Sequence, residues 1–351
     1  MFRILAASGR AGTARPRRQP AAKWEEMMNI RNVALAATSA LALLAGAAHA
    51  QVNLKLANAL TEDHPTSAAL KQFAKEVEEK TDGEVRIRLF LNGVLGDERE
   101  VLEQLQNGAV DITRVSAANL ENFNPIYRAF NLPYIFRDKD HFYSVMGGPI
   151  ADEVYQATAD SGFVGLTFFD SGARSFYTKS KPINTPEDLV GQKIRVINSN
   201  ASIRMVELMG GTPTPLPYGE IYTALQQGVI DGAENNPTAL TIGRHGEVAK
   251  FYSQDEHQRI PDFLVIANRS MEKLTPEQQA VVKEAAVNAT ASFRELWDQA
   301  IDDAIAKAEA EGVTFNTPDP APFRAKVEPL IAEFKADPAI GPLVAKIIDS
   351  Q

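Results

Sequence analysis

Two arginines lie in short apolar segments that have the composition of β-strands. Arg174 comes directly before residues 175–177, and Arg195 lies within residues 193–196. Burying a guanidinium group in a strand costs free energy unless an anion accompanies it. A guanidinium group binds a carboxylate through two parallel hydrogen bonds. The two arginines therefore predict a cleft that receives an anionic ligand.

The residues between and after the arginines contain the elements that would position them. Thr185 is typical of a helix N-cap and Pro186 of a first helical residue, and two acids follow in the first turn. A proline-rich run comes at 212–218, and Asp-Gly-Ala-Glu-Asn-Asn-Pro comes at 231–237. Strand, helix and turn signals thus alternate around both arginines.

The same alternation continues along the chain and predicts an α/β fold. Strands that alternate with helices favour mostly parallel sheets covered by helices. Apolar alternation or apolar runs predict strands at 52–57, 85–90, 110–113, 163–169 and 264–267, and helical periodicity predicts helices at 66–80, 97–107, 202–209 and 219–227.

A helical pattern from Thr275 to about Glu311 is unusually long. At ~1.5 Å per residue it would extend for roughly 50 Å, which is more than one small lobe needs. We therefore predict a two-lobed protein in which this long helix connects the lobes. The predicted first lobe comprises residues 51–172 with 261–300, and the predicted second lobe comprises residues 173–260 with 301–351.

The first fifty residues are typical of an export signal. A short basic segment at 28–32 precedes an apolar run from Val33 to Ala47 and the small-residue site Ala-His-Ala at 48–50. This pattern predicts a secretory signal peptide that is cleaved after Ala50, and the apolar run is too short to span a membrane. Residues 1–27 precede a second start at Met28 and are predicted to be an N-terminal extension. The mature chain is predicted to be periplasmic.

Charge and composition exclude several classes of function. The first fifty residues carry seven basic residues and two acids, so the remaining chain has a net charge of −14, against −9 for the whole sequence. Such an acidic chain argues against nucleic acid as a partner. The absence of cysteine excludes disulfides and thiolate nucleophiles. Metal-ligand spacing, nucleotide-binding loops and nucleophile elbows are also lacking. We predict a binding protein without cofactor or metal, not an enzyme.

Seven short motifs follow one another in a fixed order along the chain. They are Phe-Ala-Lys-Glu-Val at 73–77, Leu-Gly-Asp-Glu-Arg at 95–99, Gly-Ala-Arg at 172–174, Gly-Gln-Lys-Ile-Arg-Val at 191–196, Pro-Thr-Pro-Leu-Pro-Tyr at 213–218, Tyr-Thr-Ala-Leu-Gln at 222–226 and Asp-Gly-Ala-Glu-Asn at 231–235. Together they resemble the motifs of the solute-binding proteins of TRAP transporters, the tripartite ATP-independent periplasmic transporters. The resemblance extends from about Leu54 to the C-terminus. It implies a periplasmic protein that closes on a small organic acid and delivers it to a small and a large integral membrane subunit, without inserting into the membrane itself.

The resemblance also implies roles for three residues. Arg195 corresponds to the carboxylate-binding arginine of the family, Arg174 to a second arginine that the family often has, and Asn235 to a ligand-facing residue of a family motif. Residues at strand ends and helix starts add candidates, because α/β clefts hold ligand groups there. The predicted ligand-binding residues are Arg195, Arg174, Asn235, Tyr218, Asn198, Ser199, Ser116, His64 and Glu98.

The sequence leaves the ligand open between two classes. Residues 172–177, 234–237 and 256–257 resemble the sugar-acid binders of the family, which favours a hexuronate such as glucuronate or galacturonate. Two arginines would also suit a C4-dicarboxylate such as malate or succinate. Rival functions are a binding protein of an ATP-driven importer, and a periplasmic sugar-acid lyase or hydrolase with His64 or Glu98 as its base.

Overall fold

Two β-sheets organise residues 51–350, the part of the chain that the computed structural model describes. The predicted N-terminal extension, signal peptide and cleavage after Ala50 lie outside the described residues. Numbered along the chain, the strands are β1 (Val52–Ala57), β2 (Val85–Phe90), β3 (Ile112–Ser116), β4 (Phe163–Phe169), β5 (Arg174–Thr178), β6 (Lys193–Val196), β7 (Thr212–Pro215), β8 (Gly232–Asn235), β9 (Phe251–Gln258), β10 (Asp262–Ala267) and β11 (Thr314–Asn316).

The first sheet has the order β2-β1-β3-β10-β4. β1 pairs in parallel with β2 and β3, whereas β10 runs antiparallel to β3 and β4. The edge strand β2 begins with alternating buried and exposed residues, and the inner strands β3 and β10 are buried throughout. This burial pattern is expected when helices cover both faces at the centre of a sheet.

The second sheet has the order β11-β9-β5-β8-β6-β7. β6 pairs in parallel with β7 and β8, and β11 with β9, whereas β5 is antiparallel to β8 and β9. The predicted α/β class is confirmed, but both sheets are mixed. The chain passes from the first sheet to the second at β5 and returns to the first sheet at β10. Each of these two strands is antiparallel to its neighbours and therefore begins where they end.

Helices cover the sheets, and several begin at caps that the sequence provides. His64 caps the first helix, and Asp97 forms a capping box with Glu100 at the second. The predicted start at Thr185 caps a single 3-10 turn, Pro186–Leu189. The α-helices are α1 (Pro65–Lys80), α2 (Glu98–Asn107), α3 (Ala117–Leu120), α4 (Lys139–Met146), α5 (Pro149–Tyr155), α6 (Asn200–Leu208), α7 (Ile221–Gln227), α8 (Thr238–Thr241), α9 (Asn268–Met271), α10 (Pro276–Ala310), α11 (Pro320–Ala336) and α12 (Gly341–Asp349).

The predicted long helix is α10, which has 35 residues and begins at a capping box between Thr275 and Gln278. Its first part buries residues such as Val282 and Phe293 in the core beneath the first sheet. Near its end, Ala308 belongs to the core of the second sheet. One helix therefore contributes to the cores of both sheets, as expected for a helix that connects two lobes.

Two short segments also carry the chain between the sheets. Residues 170–173 join β4 to β5, and residues 259–261 join β9 to β10. An ion pair links the two segments, because Arg259 Nη1 lies 2.7 Å from Asp170 Oδ2. Gly172 has a φ of 73°, and a Cβ atom there would lie 2.9 Å from Asn236 Cβ. The crossing is therefore tightly packed at this glycine.

The division of the chain into lobes stays a prediction. The last helix departs from the sheet with which the sequence grouped it. Leu343, Val344 and Ile347 of α12 pack into the apolar core that contains Phe263 of β10. The helix lies next to the first sheet because its apolar face packs against the large core there.

Candidate ligand-binding cleft

A cavity of about 590 Å³ lies where ends of strands from both sheets meet. Open α/β sheets hold ligands at such an edge. The side formed by the first sheet and its helices includes Glu98, Arg114 and Asp262 and is called the first wall. The second wall includes Arg174, Arg195 and Asn235. Eight of the nine predicted residues line the cavity, namely His64, Glu98, Ser116, Arg174, Arg195, Asn198, Tyr218 and Asn235.

Arg195 in β6 is buried without a carboxylate partner. It is 3% exposed, and its Nε and Nη2 donate to the carbonyl oxygen of Leu216 at 2.9 and 2.6 Å. Nη1 donates to none of the described residues, and none of them forms an ion pair with Arg195. Burial lowers the pKa of its guanidinium group below the ordinary value. A carboxylate that enters the cavity would neutralise this cation and accept its free N–H groups.

Arg174, the first residue of β5, is already paired within the protein. Its Nε and Nη2 donate to the two carboxylate oxygens of Glu234 at 2.6 and 2.9 Å, and Nη2 also donates to the Glu234 carbonyl oxygen. Its Nη1 donates to Asn235 Oδ1 at 3.0 Å. Four of the five N–H groups of a guanidinium are thus used. Arg174 can offer a ligand one N–H group but not a planar fork.

A buried histidine lies beside the carboxylate that pairs with Arg174. His257 Nε2 lies 3.6 Å from Glu234 Oε2, and His257 Nδ1 lies 2.8 Å from Asp255 Oδ2. Burial alone would lower the pKa of His257, but the two carboxylates outweigh it and raise the pKa to about 9. Burial alone would raise the pKa of Glu234, but Arg174 and His257 outweigh it and lower the pKa to about 2. Arg174, Glu234 and His257 are therefore all charged at neutral pH.

Asn235, at the end of β8, has an amide whose orientation follows from its hydrogen bonds. Its Oδ1 accepts from Arg174 Nη1 and from the backbone N–H of Asn236. Its Nδ2 therefore keeps two N–H groups that no described residue accepts. The neighbouring Asn236 instead donates to the Ser171 carbonyl oxygen at 2.7 Å and accepts from Thr238. This arrangement supports Asn235, and not Asn236, as the ligand-facing residue.

The first wall contains a third buried arginine, Arg114 in β3. Its Nε donates to Asp262 Oδ2 at 2.8 Å, Nη2 donates to the same oxygen, and Nη1 donates to Glu98 Oε1. Glu98 Oε2 also accepts from the backbone N–H of Ser116 and from Asn119 Nδ2. Burial alone would lower the pKa of Arg114, but its two carboxylates outweigh it and raise the pKa.

His64 and Trp297 also line the cavity, side by side. His64 Nδ1 accepts from the Thr66 backbone N–H at 3.2 Å, so its proton lies on Nε2. Burial and the Arg114 charge lower the pKa of His64 to about 3, which keeps the ring neutral. The ring of Trp297, from α10, lies 5.7 Å from the His64 ring. Trp297 Nε1 is buried and has no hydrogen-bond partner among the described residues.

Ser199 is the predicted site residue that does not line the cavity. Its hydroxyl caps α6 by accepting from the Ser202 backbone N–H, and it donates to Glu121 Oε2 at 3.0 Å. The sequence signal at Ser199 was thus a helix cap and not a ligand contact. Ser116 combines both positions, because its hydroxyl caps α3 while the residue lines the cavity.

The sequence prediction omitted Arg114, Asp262 and Trp297, all of which line the cavity. Arg114 carries the signal that identified Arg195, an arginine inside an apolar strand. Asp262 directly precedes the apolar run 263–267. A charged residue at the start of an apolar strand is a weaker signal than one inside it. Trp297 has none, because a tryptophan in a long amphipathic helix is indistinguishable from an ordinary core residue.

Residues 51–350 contain neither a candidate metal-binding cluster nor a helix suited to cross a membrane. No group of three or more histidine, aspartate or glutamate side chains in this range could hold a metal ion. Within the same range, every helix is too short or too polar to cross a lipid bilayer.

Comparison with known proteins agrees with this geometry. The family model for bacterial extracellular solute-binding proteins, family 7, matches residues 56–337. A solute-binding protein of Chromohalobacter salexigens is 38% identical over 290 residues, which are 82% of this chain and 86% of the relative.

Two solved structures extend the comparison to three dimensions. A TRAP periplasmic solute-binding protein of Xanthobacter autotrophicus Py2, with bound β-D-galacturonate, has 40% identity and a TM-score of 0.82 over 85% of this chain and 100% of its own. One of Anaerococcus prevotii, with bound α/β-D-glucuronate, has 39% identity and a TM-score of 0.83 over 85% of this chain and 97% of its own.

Proposed function

This chain belongs to family 7 of the bacterial extracellular solute-binding proteins, the periplasmic binding proteins of TRAP transporters, and we propose that its ligand is a hexuronate. The observation that carries the proposal is the buried, unpaired guanidinium group of Arg195. A ligand carboxylate would compensate this charge through two parallel hydrogen bonds. Arg174 and Asn235 would add one N–H group and an amide group beside it.

The charges of the cavity favour one carboxylate and not two. On the second wall, Arg174 and Glu234 cancel, and so do His257 and Asp255 behind them, so that Arg195 leaves one formal positive charge. Among the buried groups of the first wall, Arg114 faces both Glu98 and Asp262, which leaves one formal negative charge there. A second ligand carboxylate would meet this negative wall, whereas ligand hydroxyls can donate to it. This distribution suits a hexuronate better than a C4-dicarboxylate.

The solved relatives point to the same ligand class. The Xanthobacter autotrophicus protein carries galacturonate and the Anaerococcus prevotii protein carries glucuronate, at 40% and 39% identity to this chain. A cavity of about 590 Å³ is large enough for a single sugar ring. The choice between the two epimers is left to experiment.

The role that follows is capture and delivery in the periplasm after cleavage of the signal peptide. The two walls would close on the sugar acid, with α10 and the segments 170–173 and 259–261 as the hinge. The closed, loaded protein would then dock on the small and large membrane subunits. A lyase or hydrolase is disfavoured because neither of the two bases that the sequence offered is available: the pKa of His64 is about 3, and Glu98 is bonded to Arg114 and Ser116.

Competition calorimetry with glucuronate, galacturonate, malate and succinate tests the ligand. A hexuronate should bind at least about tenfold more tightly than succinate, which corresponds to about 1.4 kcal/mol. Tighter binding of a dicarboxylate would refute the hexuronate and leave the family unaffected. Consumption of the bound ligand, followed by NMR, would instead favour the enzyme.

A further inference from the structure

Asp262 lines the cavity opposite the arginine proposed to bind the carboxylate. It is the first residue of β10, where it pairs with Ser116 of β3 and Phe169 of β4. It is 2% exposed and therefore lies at the bottom of the first wall. Because β10 is an inner strand with hydrogen-bonded neighbours on both sides, its first residue holds the carboxylate rigidly.

Only one oxygen of this carboxylate is used within the protein. Oδ2 accepts both bonds from Arg114, through Nε and Nη2. Oδ1 accepts no hydrogen bond from any residue of the described range. Oδ1 is not one of the fully buried side-chain atoms that lack a partner, so it is accessible from the cavity. A ligand hydroxyl that displaces solvent there can donate a charge-assisted hydrogen bond to it.

The charges around Asp262 decide which donor that is. Arg114 is its cation, Glu98 is a second carboxylate on the same cation, and Arg174 acts from the second wall. Burial and the Glu98 charge outweigh Arg114 and raise the pKa of Asp262 to about 6, so its carboxyl group is mostly ionised at neutral pH. Arg114 is therefore already shared by two anions. A third anion would meet net repulsion, whereas a neutral hydroxyl can donate to Oδ1.

We propose that Asp262 is a specificity-determining residue, which accepts a hydrogen bond from a ligand hydroxyl and excludes a second carboxylate from the first wall. The inference rests on the proposed function, since it assumes that the ligand carboxylate lies on Arg195. It also sets the orientation of the ligand, with the carboxylate on the second wall and hydroxyls on the first. Hexuronates would then be preferred to hexarates, which carry a carboxylate at both ends.

The variant Asp262→Asn tests the proposal, because it keeps the shape and removes the charge. Glucuronate, galactarate and succinate are titrated calorimetrically into the wild type and the variant. Glucuronate affinity should fall by about tenfold or more, the effect of losing a charge-assisted hydrogen bond. Affinity for galactarate and succinate should stay unchanged or rise, so that the preference for the uronate narrows.

Asp111→Asn is the matched control. Asp111 is a buried carboxylate that directly precedes β3, at the end opposite Ser116, where it accepts from Ser270 Oγ and from the Lys55 backbone N–H. It does not line the cavity. Its loss should leave the ratio of glucuronate to galactarate affinity at the wild-type value.

Three results would overturn the role of Asp262. The first is unchanged glucuronate affinity in Asp262→Asn. The second is an equal loss of affinity for all three ligands, which would mean that Asp262 only positions Arg114. The third is a changed ratio of glucuronate to galactarate affinity in the Asp111→Asn control. If Asp262→Asn does not fold, Asp262→Glu replaces it. This variant should bind glucuronate more weakly than the wild type does, while its affinity for galactarate and succinate should not rise. Wild-type affinity for glucuronate in Asp262→Glu would refute the proposal. Failure of the wild type to bind any hexuronate would refute the proposed function instead.

Discussion

The two walls of the cleft both bury arginines in strands, but only the second wall leaves one of them unpaired. Arg114 on the first wall has two carboxylates, and Arg174 on the second has one. Arg195 has only a carbonyl oxygen. The pKa of Arg114 and of Arg174 is raised by these carboxylates against the effect of burial, whereas burial lowers that of Arg195. The protein thus supplies the anion for Arg114 and Arg174, and we propose that the ligand supplies it for Arg195.

The largest expected effect is a difference in protein stability when either arginine of the second wall is replaced. Arg174→Met leaves Glu234 buried without its main partner, so the free energy of unfolding should fall by about 3–5 kcal/mol. Arg195→Met removes a cation that has no ion pair, so it should leave stability unchanged or increase it. Urea unfolding of both variants without ligand measures the difference. Equal losses in the two variants would contradict the contrast between them.

A smaller effect is expected on hexuronate affinity when Arg195 is replaced. Arg195→Lys keeps the charge but loses the planar fork, so hexuronate affinity should fall by about 1.5–3 kcal/mol. Arg204→Lys is the control, because Arg204 is exposed on α6 and pairs only with Glu207. Calorimetry on the folded variants makes the comparison. Wild-type affinity in Arg195→Lys would mean that the carboxylate docks elsewhere.

The smallest effect concerns pH and the network behind Arg174. His257 has its pKa raised from 6.5 to about 9 because Asp255 and Glu234 outweigh its burial, so its contribution to stability is complete below pH 6.5 and is lost as the pH rises through 9. The pKa of Glu234 is lowered from 4.5 to about 2, so its contribution is complete above pH 4.5 and is lost as the pH falls through 2.

Wild type and His257→Gln should therefore differ most in unfolding free energy below pH 6.5, and the difference should shrink as the pH rises towards 9 and above. Urea unfolding at several pH values measures it, and NMR titration of the His257 ring gives the pKa directly. A difference that stays constant across this range would mean that His257 is not held as a cation.

Strand and helix positions were largely predictable, because they depend on local patterns. β1 and β2 have the predicted bounds, and α10 begins and ends within about a residue of the predicted pattern. β3 was harder, since it extends to Ser116 while its apolar signal is interrupted by Arg114. Nothing local indicates that Asp262 neutralises this arginine from 148 positions further along the chain.

By itself, the sequence determined the α/β class, the long connecting helix, the family, and most of the residues at the cleft, because motifs and periodicity are local properties. Only the tertiary structure decided which arginine is free. Arg174 and Arg195 have similar surroundings in the sequence, but β5 pairs with β8 and so places Arg174 on Glu234, while β6 places Arg195 beside a carbonyl oxygen. Whether a buried charge is compensated depends on strand pairing, and residues distant in the chain supply its partners.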